Sequence, residues 1–307
     1  KKIRTIELPK INYKEGQKQV SYSQFSTYLK CPFQWYLTYG LKKYEDKPSI
    51  HTVFGTALHE TLQYYFSKMY TESGAAADRE DIVSMFERKI INEYQDAKKK
   101  QNDEHFSTAE ELREFNEDGQ NILNWFKKHR NEYFTTRNCR LLGIEMPLIV
   151  EVQKNLFFKG LLDIVLYDID IDRVFIIDFK TSTRGWKDQD KKDEIKISQI
   201  ILYKKYFSEL YGMDPDKIEV EFIILKRKIW EESEFPQSRI QVFSPTSGKT
   251  TRNKVSKKFE DFLKECYDSE GNLIINKEFE KKPSEWNCRF CSYANQLNIC
   301  NKLNNIL

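Results

Sequence analysis

The sequence predicts a mixed fold of the α/β or α+β class with a helical insertion. Three observations predict it. Apolar residues recur at helical spacing through residues 55 to 135, and the order strand, strand, strand, helix, strand then follows in residues 141 to 225. With 307 residues, 39% of them hydrophobic and 14% aromatic, the chain is also long and apolar enough to bury a sizeable core.

Three amphipathic helices are predicted in the first half of the chain. Their apolar residues repeat every three or four positions, which places them on one helical face. The helices are marked by Leu58, Leu62, Phe66 and Met69; by Val83, Phe86, Ile90 and Tyr94; and by Leu112, Phe115, Ile122, Phe126 and Tyr133.

Strand-like segments follow after Cys139. Residues 142–152, 156–167 and 174–181 are rich in β-formers, and a polar turn at 168–172 separates the last two. Helical spacing returns at 192–211, and a further strand is expected at 219–225. Beyond Ser244 we expect a basic loop, a helix near 257–267 and a cysteine-bearing tail. The elements suggest four regions, 1–54, 55–140, 141–245 and 246–307, with the core in the third.

Charge and hydropathy exclude several classes of protein. The 50 basic residues exceed the 47 acidic ones by three, which excludes a strongly basic, histone-like binder. We expect no membrane span, because no window approaches 18 uninterrupted apolar residues. Residues 1–10 carry charges without an apolar segment after them, which argues against a secretory signal and for an intracellular protein.

Two carboxylates and a lysine form the main catalytic candidate. Asp178 and Lys180 are two apart in a strand, so their side chains share one face, and a hairpin turning near residue 170 would bring Asp163 beside Asp178. Adjacent acids raise each other's pKa unless a cation lies between them, and Mg²⁺ prefers such oxygen ligands. Lys180 would then orient or deprotonate an attacking water, or stabilise charge on a phosphoryl oxygen, as phosphodiester hydrolysis requires.

Other side chains are candidates for the same site. Gln199 and Tyr203 lie one helical turn apart and can contact a phosphate or hold Lys180, although a core role for Tyr203 is the alternative. His59 lies at the edge of an apolar helix face; as a ligand its imidazole makes Mn²⁺ a plausible occupant beside Mg²⁺, and the alternative is a packed or solvated histidine. Glu145 is a weaker candidate.

The order of these motifs carries a family resemblance. G-x-x-x-H-E at 55–60, G-x-x-D at 160–163, D-x-K at 178–180 and Q-x-x-x-Y at 199–203 resemble the RecB-like branch of the PD-(D/E)XK nuclease superfamily. The resemblance implies a restriction-endonuclease-like core. It also implies that Asp163, Asp178, the carbonyl of Phe179 and His59 bind catalytic metal, and that Lys180 is the catalytic lysine.

Four of the six cysteines form a second candidate site. Cys288 and Cys291 are followed after eight residues by Cys300, and Cys31 lies in an aromatic segment near the other end of the chain. Three clustered thiolates lack a fourth ligand for tetrahedral zinc or an iron–sulfur cluster, and Cys31 is the obvious supplier. Spacing does not separate zinc from iron. Cys139 and Cys266 are isolated in apolar or helical segments and are expected to pack as small hydrophobic residues.

The cysteine spacing also resembles a known group. One cysteine before the nuclease motifs and C-x-x-C with a further cysteine after them is similar to the four-cysteine RecB-like nucleases, including AddB-type subunits and CRISPR-associated nucleases. That resemblance implies a structural [4Fe–4S] cluster bound by Cys31, Cys288, Cys291 and Cys300, which would close the C-terminal region onto the N-terminus.

Basic residues suggest contacts with nucleic acid. Lys249, Arg252, Lys254, Lys257 and Lys258 can neutralise phosphates, and the alternative is a solvated surface. Arg184 follows the catalytic strand and can line the path of a nucleic-acid strand, and the alternative is an ordinary polar turn. The aromatic residues around Cys31 are expected to pack in the core rather than stack on bases. Ser247-Gly248-Lys249-Thr250 is similar to the end of a phosphate-binding loop, but Phe243 replaces the required glycine, so we expect no ATP binding.

These motifs lead to one functional hypothesis and two alternatives. The hypothesis is a Mg²⁺- or Mn²⁺-dependent DNA exonuclease that acts on single strands or DNA ends in recombination, repair or DNA processing. The first alternative is a processing nuclease inside a recombination or CRISPR-adaptation complex, with a helicase or integrase-like partner. The second is a DNA-binding subunit whose nuclease site is vestigial.

Overall fold

A mixed β-sheet separates two layers of helices. The structure is a computed structural model that describes residues 16–43, 47–289, 291–296 and 298–301. Within these residues six strands form the main sheet, and a short hairpin lies apart from it. The strands of the sheet are β1 (Lys18–Val20), β2 (Cys139–Gln153), β3 (Leu156–Asp168), β4 (Arg173–Ser182), β5 (Ile218–Lys226) and β6 (Ile240–Phe243).

Two different strands, β1 and β4, pair with separate parts of one edge of β3, which we call the forked edge. The other edge of β3 pairs with β2 in antiparallel fashion along almost the whole strand. On the forked edge, β1 pairs in parallel with residues 156–158, and β4 pairs in antiparallel fashion with residues 164–168. The part of β3 between these two ladders has neither neighbour, and this gap holds Gly160 and Asp163.

The other strands continue the sheet outward from β4. Strand β5 runs parallel to β4 over nine residue pairs, from Val174 opposite Ile218 to Ser182 opposite Lys226. Strand β6 then closes this edge in antiparallel fashion. The parallel β4–β5 pair requires a crossover, which is supplied by the helices between the two strands.

The helices pack on opposite faces of the sheet. One apolar core joins α1, α8 and α9 to one face, and the second joins α3, α5 and α6 to the other. The helices are α1 (Tyr22–Lys30), α2 (Pro32–Trp35), α3 (Ile50–Thr71), α4 (Gly74–Arg79), α5 (Ile82–Lys100), α6 (Ala109–His129), α7 (Asp188–Lys191), α8 (Glu194–Tyr211), α9 (Lys249–Cys266) and α10 (Glu285–Arg289). None of the described helices combines the length and hydropathy needed to cross a bilayer.

Side-chain caps fix where the long helices begin. The hydroxyls of Ser49 and Thr108 accept backbone N–H groups in the first turns of α3 and α6, and the carboxylates of Asp81 and Asp193 do the same for α5 and α8. Helix α8 ends at Gly212, whose φ of +58° suits the left-handed cap. These two caps define where α8 begins and ends.

The C-terminal region closes onto the N-terminal helices. The Asn287 side chain donates to the carbonyl of Lys30 at 2.8 Å, and the Phe33 amide donates to the carbonyl of Glu280 at 3.0 Å. The hairpin of β7 (Asn295–Gln296) and β8 (Cys300–Asn301) completes this region. The predicted fold class, a mixed α/β core with a helical insertion, is thereby confirmed.

Some predicted elements differ from the observed ones. The segment expected as a basic loop before a helix near 257–267 is helical from Lys249, because no Gly or Pro interrupts it; its buried face begins only at Val255, so the first turn shows no apolar periodicity. The third helix ends at His129, and Tyr133 lies beyond it. Strands β1 and β6 and helix α4 were not predicted, because each is too short to show a period.

Candidate active site

Asp163 and Asp178 meet at the gap in β3. The β3–β4 ladder ends at Ile164 opposite Ile177, and the same register places Asp163 opposite Asp178. The Phe179 amide donates to Oδ2 of Asp163 at 2.8 Å. The edge of β4 therefore fixes one oxygen of the Asp163 carboxylate, while Phe179 itself is buried in the core formed with α3.

Burial makes the two carboxylates unfavourable as bare anions. The side chains of Asp163 and Asp178 are only 17% and 3% exposed. Burial, together with the negative charge of Asp178, raises the pKa of Asp163 to about 7, although the Phe179 amide opposes the shift. Oδ2 of Asp178 is buried without a hydrogen-bond donor among the described residues. A cation between the two acids would relieve this cost.

Lys180 lies beside Asp178 on the same face of β4. Its Nζ is 2.6 Å from Oδ2 of Asp178, and this contact is an ion pair without hydrogen-bond geometry. The ammonium also lies 5.9 Å from the centre of the Phe222 ring in β5. The side chain is one-third exposed, so the ammonium can reach a bound phosphate without leaving the carboxylates.

His59 approaches from helix α3. Its Nδ1 is 3.8 Å from Oδ2 of Asp163. Burial lowers its pKa to about 4, against the opposing effect of Asp178, so the imidazole is neutral near pH 7 and keeps a lone pair for a metal. Gly55, one turn earlier, lies near the end of β4, where a Cβ would make only an ordinary contact of 4.0 Å with Oγ1 of Thr181.

Helix α8 contributes Gln199 and Tyr203. The Gln199 amide donates to the Tyr203 hydroxyl at 3.1 Å. A Cβ at residue 160 would lie 2.7 Å from Cε1 of Tyr203, so the glycine makes room for this ring. Burial, followed by the charge of Asp178, raises the pKa of Tyr203, which therefore remains a neutral hydroxyl beside the carboxylates.

Glu145 and Tyr22 border the site. Glu145 lies in β2 at the position opposite Asp163 and has a φ of +46°. Its carboxylate accepts a hydrogen bond from the side chain of Gln63 at 3.2 Å. Tyr22 donates to the carbonyl of Ile195 at 2.8 Å, and burial, followed by the charge of Asp178, raises its pKa. Sequence reasoning missed Tyr22 as a neighbour of the site, because no local pattern separates it from the core aromatics.

The donor chemistry fits a hard divalent cation. Two buried carboxylates, a neutral imidazole and the adjacent backbone offer oxygen and nitrogen donors, and one carboxylate oxygen has no hydrogen-bond donor. In the part of the chain that the structure describes, however, no three His, Cys, Asp or Glu side chains already form a metal-binding group. The roles of these residues as ligands therefore remain predictions.

The four predicted cysteines line one small cavity. Cys31, Cys288, Cys291 and Cys300 surround it together with neighbours such as Lys281. Cys31, Cys288 and Cys291 form no disulfide bond among the described residues. Burial, with a contribution from the other three thiols, raises the pKa of Cys291, so bare thiols at this position resist ionisation. The thiols suit a cation that binds thiolates, but among the described residues they do not form a ready metal-binding group.

The other two cysteines lie elsewhere. Cys266 is fully buried in the core on α9, as a small hydrophobic residue would be. Cys139 is half-buried at the start of β2. Burial raises its pKa to about 11 despite a hydrogen bond with Tyr70.

The basic residues of α9 are largely paired. Lys254 and Lys258 both bind the carboxylate of Glu194, and Arg252 donates to the carbonyl of Ser247 and lies 3.6 Å from Asp216. Lys249 opens the helix. Their proposed role in nucleic-acid binding is untested, and the ion pairs favour the alternative of a solvated helix face. Arg184 is exposed after the end of β4.

Comparison with known proteins identifies the family. No curated protein matches the chain. The profile of the PD-(D/E)XK nuclease superfamily matches residues 19–300, which include the forked sheet, both carboxylates and Lys180. The match covers most of the 307 residues. The chain therefore belongs to the PD-(D/E)XK nuclease superfamily.

Proposed function

We propose that this nuclease is a metal-dependent DNA exonuclease that hydrolyses phosphodiester bonds in single strands or at DNA ends. The observation that carries the nuclease function is the juxtaposition of Asp163, Asp178 and Lys180 on one sheet face at the gap in β3. Membership of the superfamily supports the reaction class. The preference for ends and single strands rests on the resemblance of the motifs to RecB-like nucleases.

Four groups would hold the catalytic metal: the carboxylates of Asp163 and Asp178, the Phe179 carbonyl and the imidazole of His59. When bound, Mg²⁺ or Mn²⁺ supplies Lewis acidity at a phosphoryl oxygen and lowers the pKa of water. The Phe179 amide keeps Asp163 oriented, because it holds one of its oxygens at 2.8 Å. Since His59 is neutral near pH 7, it requires no deprotonation before it binds.

Lys180 supplies positive charge where the phosphate becomes more negative. Its Nζ is held 2.6 Å from Asp178, and the side chain is one-third exposed, so the ammonium is accessible to a bound phosphate. A fixed cation at this position stabilises the transition state more than the ground state, which is the condition for catalysis. Gln199 and Tyr203 offer hydrogen-bond donors from α8 and wall one side of the site.

A comparison of DNA topologies tests this proposal. Purified protein is incubated with end-labelled linear DNA, single-stranded or duplex, and with covalently closed circles, in Mg²⁺ or Mn²⁺. We expect linear DNA to yield labelled mononucleotides or short products, and we expect the circles to stay intact. Cleavage of the circles would overturn the exonuclease assignment, and no cleavage of any DNA with either metal would overturn the nuclease assignment.

The alternative is a processing nuclease within a larger complex. Trp286 favours it, because this side chain is 72% exposed on α10, the short helix that carries Cys288. An exposed tryptophan is typical of protein interfaces. Co-purification with a helicase or integrase-like partner, lost in the Trp286→Ala variant, would support this alternative over an enzyme that acts alone.

We also propose that Cys31, Cys288, Cys291 and Cys300 bind a structural [4Fe–4S] cluster, with zinc as the alternative. Their location around one cavity supports a shared centre, and the resemblance to four-cysteine RecB-like nucleases supports iron. Such a centre would join α1 to the C-terminal hairpin and complement the hydrogen bond from Asn287 to Lys30. A colourless protein with one zinc after anaerobic purification would overturn the iron assignment.

A further inference from the structure

A groove of about 470 Å³ lies beyond the end of the catalytic strand. It is lined by Arg184, Lys226, Lys228, Ile229, Trp230, Glu231 and Gln237. Three of these side chains are basic and one is acidic. The groove is separate from the cysteine cavity, which none of these residues lines.

Two of the three basic residues, Arg184 and Lys226, are not neutralised by an ion pair among the described residues. Lys228 is neutralised, because its Nζ lies 2.9 Å from carboxylate oxygens of both Asp118 and Glu114. Among the described residues, Arg184 and Lys226 have no carboxylate within ion-pair distance. Against these two cations the groove presents one acid, the exposed Glu231.

Lys226 lies in a surplus of positive charge. Burial and the neighbouring Arg239 lower its pKa. Arg239 itself contacts backbone carbonyls of residues 226 and 227 through its guanidinium. An anion in the groove would relieve the repulsion between these two side chains.

A glycine turn brings Arg184 and Lys226 together. Gly185 has a φ of +97°, and a Cβ at this position would lie 3.1 Å from Cδ of Lys226 and 3.0 Å from Oε1 of Gln241. The lysine side chain thus passes directly over the backbone of the turn that carries Arg184. A side chain at residue 185 would require the positive φ of an unusual conformation and would displace the side chains of Lys226 and Gln241 by a few tenths of an ångström.

The groove continues the face of the sheet that carries the catalytic residues. In the β4–β5 ladder, Asp178, Lys180 and Ser182 are opposite Phe222, Ile224 and Lys226. Since alternate residues of a strand share a face, Lys226 lies on the same face as Lys180, two residues further along. Two residues correspond to about 7 Å along the direction of the strands. The register therefore places the groove on the same face as the catalytic residues, next to the end of β4.

An exposed tryptophan completes the groove. Trp230 is 72% exposed, although an indole ring of this size is usually buried. Cations that contact phosphates, combined with an aromatic ring that stacks on a base, are the features by which proteins bind single strands without sequence preference. A base-paired duplex keeps its bases stacked inside and does not offer them to such a ring.

We propose that this groove binds the single-stranded segment adjoining the cleaved phosphodiester, with phosphates at Arg184 and Lys226 and a base stacked on Trp230. The inference rests on the proposed nuclease function. Glu231 sets a limit on affinity, because its carboxylate faces the same phosphates.

Binding without cleavage tests the proposal. A fluorescein-labelled oligothymidylate is titrated with the full chain in EDTA, and anisotropy gives the affinity. We expect Trp230→Ala to weaken binding roughly 5- to 150-fold, the loss typical of one stacked base, and Trp230→Phe to retain most of the affinity. Lys226→Gln should reduce the slope of log affinity against log salt by about 0.7. Glu231→Gln should strengthen binding.

A matched control distinguishes binding in the groove from binding to any exposed aromatic residue of the same loop. Phe235 lies in the same loop and is 74% exposed, but it does not line the groove. Phe235→Ala should leave the affinity within about twofold of the wild type. Equal losses for Trp230→Ala and Phe235→Ala, or no loss for either, would overturn the proposal. So would competition by polyglutamate as strong as that by unlabelled oligothymidylate, which would indicate an acidic protein as the ligand.

The binding experiment can fail independently of the proposed nuclease function. Because the titration is done in EDTA, it does not depend on cleavage. Trp230-dependent binding by a protein that cuts no DNA would overturn only the proposed function. Cleavage with unchanged binding in Trp230→Ala would overturn only the groove.

Discussion

The ring of Tyr203 occupies the space that a side chain at residue 160 would need. A Cβ at Gly160 would lie 2.7 Å from Cε1 of this ring, which is 5% exposed and bonded to Gln199. Two sequence motifs, G-x-x-D in β3 and Q-x-x-x-Y in α8, therefore meet through one contact. The glycine lets α8 pack close to the gap in β3, and this brings the Tyr203 hydroxyl near both carboxylates.

Gly160→Ala should destabilise the protein by about 1–3 kcal/mol, because a buried ring cannot move away without disturbing the core. Urea unfolding monitored by circular dichroism measures this loss. Gly55→Ala is the matched control: a Cβ there makes only an ordinary contact at 4.0 Å, and alanine favours a helix interior, so stability should be unchanged or higher. Unchanged stability in Gly160→Ala would contradict the contact.

Asp118 should be far more important for stability than its neighbour Glu114. Asp118 is 4% exposed and bonds to Arg227 and Lys228, whereas Glu114 is half exposed and bonds to Lys228 alone. Removing one partner of a buried ion pair typically costs about 3–5 kcal/mol, and an exposed pair about 1 kcal/mol or less. Denaturation of Asp118→Ala and Glu114→Ala should show this contrast. Similar losses would mean that the buried network contributes little.

Glu194 should contribute stability that is lost in acid. Hydrogen bonds from Lys254 and Lys258 lower its pKa from 4.5 to about 2. Because the folded pKa is the lower one, this contribution is present above about pH 4.5 and disappears as the pH falls towards 2. Between these pH values, Glu194→Gln should therefore lose less stability than the wild type. The difference should be small, since the pairs are half exposed.

A pH series of urea unfolding measures this slope. Glu260→Gln removes an exposed acid from α9 and serves as the control, with the slope of the wild type. If Glu194→Gln and the wild type lost stability equally between pH 4.5 and 2, the two lysines would not hold this carboxylate.

Removing a cavity cysteine should remove the metal of the proposed centre. Cys288→Ser should lower the iron and sulfide, or the zinc, bound per chain, because serine replaces a thiolate donor poorly. Cys266→Ser is the matched control; its thiol is buried in α9, away from the cavity, so metal content should not change. Metal analysis after anaerobic purification measures both. Equal metal content in the two variants would contradict a centre at Cys288.

The candidate site was largely predictable because its motifs are local. Asp178 and Lys180 share a face by the alternation of a strand, and Asp163 meets Asp178 through a tight hairpin, so both relationships follow from short sequence spacings. The contact between Gly160 and Tyr203 was not predictable in the same way, since it depends on the distance between a strand and a helix. The motifs indicated the residues, and the packing explains why residue 160 must be small.

The remaining features depend on long-range pairing. The gap in β3 exists because β1, more than 130 residues earlier in the chain, takes the edge that β4 leaves at residue 164. A strand of three residues has no detectable period, so its sequence gives no sign of this pairing. Lys226 joins Arg184 only through the parallel β4–β5 ladder, which no local pattern specifies. The start of α9 was hidden because its first turn has no buried face.

The central claim is that Asp178 and Lys180 carry out phosphodiester hydrolysis. The most direct test is the initial rate of cleavage of end-labelled single-stranded DNA in Mn²⁺ by Asp178→Asn and Lys180→Ala. Lys187→Ala, an exposed lysine beyond the strand, is the control. We predict a loss of at least about 100-fold in both site variants, the scale on which a fixed charge stabilises a transition state, with no loss in the control. Cleavage at the wild-type rate by both site variants would contradict the account.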